Sequence, residues 1–61
     1  MSPITAARES AGISQAELAR RIGKSPQQVH NWESGFRTPK LDALLKIAEA
    51  LGVPLETLLQ K

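Results

Sequence analysis

The order of apolar and polar positions divides the chain into five short segments, each with the spacing of a helix. The clearest repeat begins at Leu41, where apolar residues recur at every third or fourth position as far as Leu51, and it predicts a helix over about 41–51. Weaker repeats of the same kind predict four further helices, over about 2–11, 15–22, 26–33 and 55–60. The pattern therefore predicts an all-α fold.

Residues that start and stop helices stand at the junctions between these segments. A serine stands at the start of each of the first three predicted helices, and at the first and third of these a proline follows it. Ser14 with Glu17, and Ser25 with Gln28, have the three-residue spacing of a capping box. Gly23 can supply the left-handed residue that ends the second helix. Because so few residues separate helices two and three, we expect the tight junction of a helix-turn-helix.

Lys40 and Pro54 stand before the last two helices. Neither side chain accepts a hydrogen bond from a helix N-terminus as serine, threonine, aspartate or asparagine does. The starts of these helices therefore carry the weakest sequence signal.

Length and charge narrow the class of protein. The chain has 61 residues, which is enough for a single domain spanning 1–61. Its net charge of +2 is uneven: residues 14–40 carry five basic and two acidic residues, giving +3, while residues 41–61 carry two and three, giving −1. If the protein binds a polyanion, we expect the basic segment 14–40 to contact it.

The chain lacks the residues on which several classes of function depend. There is no cysteine and one histidine, so we expect no metal site and no cofactor. No nucleophile and orienting acid pair with His30 at a persuasive spacing, so we expect no enzyme. No apolar run reaches the length of a membrane span, and no signal peptide is visible, so we expect no membrane contact and a cytoplasmic location.

The third helix has two unlike faces. At about 100° per residue, Val29 and Trp32 point toward the protein and Gln28 lies at the boundary, whereas the outward ridge consists of Gln27, His30 and Asn31. An amide can donate and accept together, which suits the N6 and N7 atoms of adenine in the major groove. A polar helix face in solvent explains the same pattern without DNA.

The span SQAELARRIGKSPQQVHNWESG closely resembles the helix-turn-helix of the phage repressor and Cro family, also called the XRE family. The later stretch RTPKLDALLKIAEALGVPLETLL resembles the rest of that family's domain. The resemblance implies a compact five-helix, repressor-like fold that binds double-stranded DNA through the major groove. It also implies a bacterial or phage-infected cell as the setting.

The resemblance assigns roles to individual residues. Base contacts are expected from Pro26, Gln27, Gln28, His30 and Asn31. Phosphate contacts are expected from Gln15, Lys24, Ser25, Arg37 and Lys40. A structural ion pair is expected between Arg8 and Glu33. Several relatives carry a polar residue where this chain has Pro26, so that position offers an apolar surface that could meet a thymine methyl group.

The resemblance also implies a homodimer that recognises a near-palindromic operator. Three leucines within five residues exceed what a short last helix hides easily, and the expected dimer surface consists of Val53, Pro54, Leu55 and Leu58. With the sequence ending after helix five, we expect a Cro-like repressor controlled by its concentration, without a small-molecule ligand.

Other interpretations stay open. The chain could be an antitoxin or another protein-interaction module in which DNA binding is secondary, or a DNA-binding domain from a larger regulator. Trp32 could stack on single-stranded bases, although its direction favours the core. Phe36 fits either the core or a position near the DNA backbone.

Overall fold

The computed structural model describes residues 2–59, and these form five helices. In chain order they are α1 (Pro3–Ser10), α2 (Gln15–Ile22), α3 (Pro26–Ser34), α4 (Leu41–Leu51) and α5 (Leu55–Leu58). No strand occurs among these described residues. The predicted all-α class is confirmed, and α4 has the predicted bounds. Helix α5 ends earlier than predicted, and the predicted end at residue 60 lies outside the described residues.

The first three helices begin at serine caps. The Ser2 hydroxyl accepts a hydrogen bond from the Ile4 backbone N–H at 3.1 Å. At α3 the predicted capping box is complete, because the Ser25 hydroxyl accepts from the Gln28 N–H while Gln28 Oε1 accepts from the Ser25 N–H. Each bond satisfies a backbone donor that has no partner within its helix.

The capping box predicted at α2 forms only in part. The Ser14 hydroxyl accepts from the Glu17 N–H at 3.0 Å, but the Glu17 carboxylate accepts from Arg20 and Arg21 instead of returning to Ser14. The prediction of a reciprocal box was wrong here. The reason is physical: hydrogen bonds between two charged groups are stronger than one to a neutral backbone N–H.

Every helix contributes to one apolar core. Its most deeply buried large side chains are Leu18, Val29 and Ile47, from α2, α3 and α4. The remaining members of this buried cluster are Ile4, Ala7, Ala19, Ile22, Ala48 and Leu58. Burial of one such leucine, valine or isoleucine side chain contributes about 1.5–3 kcal/mol. Because α2 packs on both α3 and α4, the core fixes the position of α3 relative to the rest of the domain.

A tight turn joins α2 to α3. Gly23 has φ 72° and ψ 31°, a left-handed conformation that glycine adopts without a steric cost. The Lys24 N–H donates to the Ala19 carbonyl at 2.9 Å and the Gly23 N–H donates to the Arg20 carbonyl, the pair of bonds that defines a Schellman motif. With Ser25 already capping α3, the turn directs one face of α3 into solvent.

Candidate nucleic-acid interface

The solvent-facing side of α3 is polar, as its sequence predicts. Gln27 and His30 are exposed, and Asn31 is half-buried. On the opposite side Val29 is fully buried, and Trp32 is partly buried against the core. The predicted separation of the two faces is confirmed, and the position of Trp32 favours a packing role over a stacking platform.

Two amides on this ridge are hydrogen-bonded to each other. Gln27 Nε2 donates to Asn31 Oδ1 at 2.9 Å. The two residues are four apart, so their side chains are neighbours on the helix surface. Both residues were predicted to contact bases, but this bond between them was not predicted, although their spacing on a helix is the signal that reveals it.

Gln28 has less freedom than its neighbours. Its Oε1 accepts from the Ser25 N–H at 3.0 Å in the capping box, so the amide nitrogen is the part of the side chain left for a ligand. An amide nitrogen only donates. Gln28 is therefore suited to acceptor atoms, such as phosphate oxygens or the N7 and O6 atoms of guanine.

A cavity of about 570 Å³ lies beside the ridge, between α3, the loop that follows it and the start of α4. Three basic side chains, Lys24, Arg37 and Lys40, and one acidic side chain, Asp42, line it together with Asn31 and Trp32, so its lining carries a net positive charge. The Arg37 N–H donates to the Asn31 carbonyl at 3.1 Å, which ties the loop to α3. The predicted phosphate-contacting cations are thus brought together next to the predicted base-contacting amides.

Phe36 lies on the surface of this loop. Its side chain is 72% exposed, and the Arg37 guanidinium lies 5.3 Å from the centre of its ring. That distance is within the range of a cation–π interaction. Of the two positions considered for Phe36, the structure excludes the core.

The end of α3 is anchored through Glu33. Arg8 Nε donates to Glu33 Oε2 at 2.7 Å and Arg8 Nη2 donates to Oε1 at 3.0 Å, so the predicted ion pair is confirmed. The Arg8 side chain is 12% exposed and that of Glu33 is 6% exposed. Arg8 also donates to the Ile13 carbonyl at 2.8 Å. This network holds α1, the α1–α2 loop and α3 together.

Two further side chains donate to the same carboxylate. Thr5 Oγ1 lies 2.9 Å from Glu33 Oε1, and Gln15 Nε2 lies 3.1 Å from it. Burial raises the pKa of Glu33, but hydrogen bonds from Arg8, Gln15 and Thr5 outweigh burial and hold that pKa below its ordinary value. The hydrogen bond with Glu33 raises the pKa of Arg8. The pair is therefore ionised at neutral pH.

Sequence reasoning missed Thr5 and gave Gln15 a different role. Gln15 was expected to contact phosphate, and the structure shows one of its amide N–H groups engaged with Glu33. The second N–H of an amide remains able to donate, so a phosphate contact is compatible with this position. Thr5 stands three residues before Arg8, a spacing that places both on one face of α1.

The expected dimer residues are unequally accessible. Leu58 is only 6% exposed and belongs to the core of its own chain, so its inclusion in a dimer surface is corrected. Val53 and Leu55 are partly buried, and Pro54 is exposed. The sequence analysis did not single out the apolar side chains that are most exposed on α4, Leu41 at 60% and Leu45 at 49%.

Across residues 2–59 no group of His, Asp and Glu side chains has the arrangement of a metal site. No helix in the same described part combines the length and apolar character needed to cross a membrane.

Comparison with known proteins identifies the family. A family model described as helix-turn-helix matches residues 4–58, which include all five helices except the first residue of α1. The chain belongs to this helix-turn-helix family. This family is of the XRE type, so the predicted membership of the XRE family is confirmed.

Relatives come from bacteria and eukaryotes. The chain is 42% identical over 55 residues to an uncharacterized HTH-type transcriptional regulator of Mycobacterium tuberculosis, covering 90% of this chain and 39% of the relative. It is 40% identical over 48 residues to multiprotein-bridging factor 1 of Schizosaccharomyces pombe, covering 79% of this chain and 32% of the relative. The chain thus spans about a third of the length of these curated relatives. The family match and the similarity to a protein named a transcriptional regulator support the interpretation of this chain as a DNA-binding regulator.

Proposed function

We propose that this helix-turn-helix protein binds duplex DNA sequence-specifically by placing α3 in the major groove, and that it represses transcription by occupying an operator. The observation that carries the proposal is the polar ridge of α3, because it adjoins the basic cavity formed by Lys24, Arg37 and Lys40. A helix of this size fits the major groove, and the second helix of such a motif is the one that enters it.

The residues divide into two groups by the atoms they present. The base-contacting group comprises Pro26, Gln27, Gln28, His30 and Asn31. The phosphate-contacting group comprises Gln15, Lys24, Ser25, Arg37 and Lys40. Base edges carry the sequence information, whereas phosphate contacts fix the position of the protein on the duplex. The capping role of Gln28 places it at the border between the groups.

Recognition by a homodimer extends this proposal. Two copies of α3 would meet half-sites about one DNA turn, roughly 34 Å, apart, and a twofold dimer reads a near-palindrome. The exposed Pro54 and the partly exposed Val53 and Leu55 are the residues of the expected surface that remain accessible. Repression in the manner of Cro, in the cytoplasm of a bacterial or phage-infected cell, is the corresponding biological role.

Selection of tight binders from a random duplex pool, followed by salt titration, tests the proposal. We expect one enriched near-palindrome. On random duplexes we expect log K to fall with log salt by about 0.9 for each neutralised phosphate. Binding that neither selects a sequence nor responds to salt would contradict DNA binding as the function.

Matched variants separate the two groups. Arg37→Ala and Lys40→Ala should each weaken binding to all sequences and reduce the salt slope by about 1. Gln27→Ala should relax preference at particular base pairs and leave the slope unchanged. Lys46→Ala removes an equal charge from an exposed site on α4 and serves as the control. Equal losses on every sequence for all the α3 and loop variants would overturn the division.

A protein-bridging role is the second candidate. The fission yeast relative is named a multiprotein-bridging factor, and Leu41 and Leu45 expose apolar surface one helical turn apart on α4. Such a role predicts that Leu41→Ser with Leu45→Ser abolishes partner binding while DNA affinity is retained. A partner-independent, salt-dependent DNA interaction with a selected sequence would favour the repressor role instead.

A further inference from the structure

The hydrogen bond between Gln27 and Asn31 determines which polar atoms the pair offers to a ligand. Gln27 Nε2 donates to Asn31 Oδ1 at 2.9 Å. A glutamine amide has one carbonyl oxygen and two N–H donors, and asparagine has the same set. The bond engages the nitrogen of Gln27 and the oxygen of Asn31. Outside this bond, Gln27 Oε1 is a free acceptor and Asn31 Nδ2 a free donor on neighbouring side chains, while Gln27 Nε2 keeps one N–H and Asn31 Oδ1 keeps one lone pair.

This arrangement matches one base edge. In the major groove adenine presents the N7 acceptor next to the N6 amino donor. Guanine presents two acceptors, cytosine presents a donor, and thymine presents an acceptor and a methyl group. Asn31 Nδ2 can donate to adenine N7 while Gln27 Oε1 accepts from the N6 amino group. Guanine would need the remaining N–H of Gln27 instead of its oxygen, so an outward Gln27 Oε1 favours adenine.

The surroundings hold this pair in place before a ligand arrives. The Asn31 side chain is half-buried beside Trp32, and its backbone is fixed because the backbone carbonyl accepts from the Arg37 N–H at 3.1 Å and the Ser34 hydroxyl at 3.2 Å. Gln27 is exposed, so its ordering depends on the bond to Asn31. A side chain already held in its bound orientation loses less freedom on binding.

We propose that Gln27 and Asn31 recognise a single adenine as one unit, in which Asn31 fixes Gln27 with its oxygen outward and each residue then supplies one of the two hydrogen bonds. This inference rests on the proposed DNA-binding function. It assigns one adenine to the two residues together, instead of a separate base to each residue. Loss of Asn31 should remove recognition of both adenine atoms, whereas loss of Gln27 should remove recognition of the 6-amino group.

Base analogues test this assignment atom by atom. In the selected duplex each adenine is replaced in turn by 7-deazaadenine, which lacks N7, or by purine, which lacks the 6-amino group. For the unaltered protein we expect one adenine in each half-site at which both analogues weaken binding, with a combined loss of at least about fivefold, the lower bound for a bidentate contact. At that adenine, Asn31→Ala should become insensitive to both analogues, whereas Gln27→Ala should become insensitive to purine and keep its sensitivity to 7-deazaadenine.

A double-substitution series provides the matched comparison. Gln27→Ala combined with Asn31→Ala should weaken binding by no more than about twofold beyond the weaker-binding single variant, because loss of Asn31 already disables the unit. Gln27→Ala combined with Lys40→Ala should instead multiply the single losses, because these residues lie on different elements and share no hydrogen-bond partner. Thermal melts of each variant confirm that the comparison is made between folded proteins.

The outcomes separate this inference from the function on which it rests. If the unaltered protein selects a sequence but the losses for Gln27 and Asn31 multiply, or if each variant keeps sensitivity at a different adenine, the unit is wrong and the function stands. An operator in which no adenine responds to the analogues also overturns the unit. If the unaltered protein shows no sequence preference and no salt dependence, both proposals fail.

Discussion

Glu33 links α3 to α1 and α2. Its carboxylate accepts hydrogen bonds from Thr5 and Arg8 on α1 and from Gln15 on α2. With both charged side chains of the ion pair largely buried, loss of one partner leaves a charge without compensation. The position of α3 therefore depends on a polar network as well as on the apolar core.

Arg8→Ala should destabilise the domain strongly. Removal of one partner from a buried ion pair costs about 3–5 kcal/mol, and a domain of this size changes its Tm by about 4–8 °C per kcal/mol. Chemical denaturation and a thermal melt measure the effect. A change within about 0.5 kcal/mol, as for an ordinary surface substitution, would show that the pair contributes little.

An apolar replacement of both partners is the matched control. Arg8→Met combined with Glu33→Leu removes both charges and keeps most of the volume, so we expect it to cost less than Arg8→Ala alone. DNA binding must be compared at a temperature where all variants are folded. A double variant that is less stable than the single variant would contradict the uncompensated-charge explanation.

Acid should weaken the fold through Glu33. Its pKa in the folded protein lies below the ordinary value of 4.5, so its ionisation stabilises the folded protein above that value. The contribution is lost as pH falls below 4.5 and through the lowered pKa. Glu33→Gln should therefore be less stable than the unaltered protein at pH 7 and show a smaller loss between pH 5 and about pH 2.

Glu17 provides the comparison for this titration. Hydrogen bonds from Arg20 and then Arg21 lower the pKa of Glu17 to about 2, but these groups lie on the exposed surface of a single helix. Because exposed pairs contribute little, Glu17→Gln should lose little stability at pH 7 and should leave the acid dependence nearly unchanged. Parallel acid titrations monitored by circular dichroism distinguish the two sites. An unchanged pH profile in Glu33→Gln would refute the assignment.

At the scale of elements, α4 begins without a side-chain cap. Lys40 occupies the N-cap position and makes no capping hydrogen bond, although its neighbour Asp42 lies in the first turn. Lys40→Asp should add an acceptor for the first turn and a favourable charge at the helix N-terminus, raising the free energy of unfolding by about 0.5–2 kcal/mol. The same change should weaken binding to every duplex if Lys40 contacts phosphate.

Lys40→Ala separates these two consequences. It removes the positive charge without supplying a cap, so it should weaken DNA binding and leave stability nearly unchanged. Urea unfolding and titration of random duplexes measure the two quantities on the same samples. If Lys40→Asp is more stable but binds DNA as well as the unaltered protein, the phosphate role of Lys40 is wrong.

Local signals made the helices predictable from sequence. The Ser25 and Gln28 spacing predicts the start of α3, and the apolar repeat from Leu41 to Leu51 predicts the whole of α4. The directions of Val29 and Gln27 follow from helical geometry alone. The polar face of the candidate site was therefore visible before the fold, because all its members lie on one short helix.

Contacts that depend on competition or on distant residues were not predictable in this way. Ser14 and Glu17 have the spacing of a capping box, yet two arginines on the same helix take the carboxylate. Thr5 and Glu33 are 28 residues apart, and only the packing of α1 against α3 brings them together. Leu58 looked available to a partner because its burial depends on how α5 packs on α1 and α4.

At the scale of the whole molecule, the remaining choice concerns the surface that joins two copies. Pro54 is exposed at the start of α5, while Leu45 exposes apolar surface on α4. Near a twofold axis each substituted charge meets its own copy, so Pro54→Glu should convert the dimer to a monomer. Because both residues are exposed, neither substitution should unfold the domain.

Sedimentation with and without the selected duplex measures this effect, and Leu45→Glu is the matched control. We expect Pro54→Glu to remain monomeric, to bind a half-site as tightly as the unaltered protein and to lose at least about tenfold in affinity for the full palindrome, because linked sites bind more tightly than separate ones. Leu45→Glu should keep the dimer and the palindrome affinity. If Leu45→Glu alone dissociates the dimer, the interface lies on α4 and not at Pro54. If the unaltered protein is monomeric on the palindrome, the homodimer proposal is wrong.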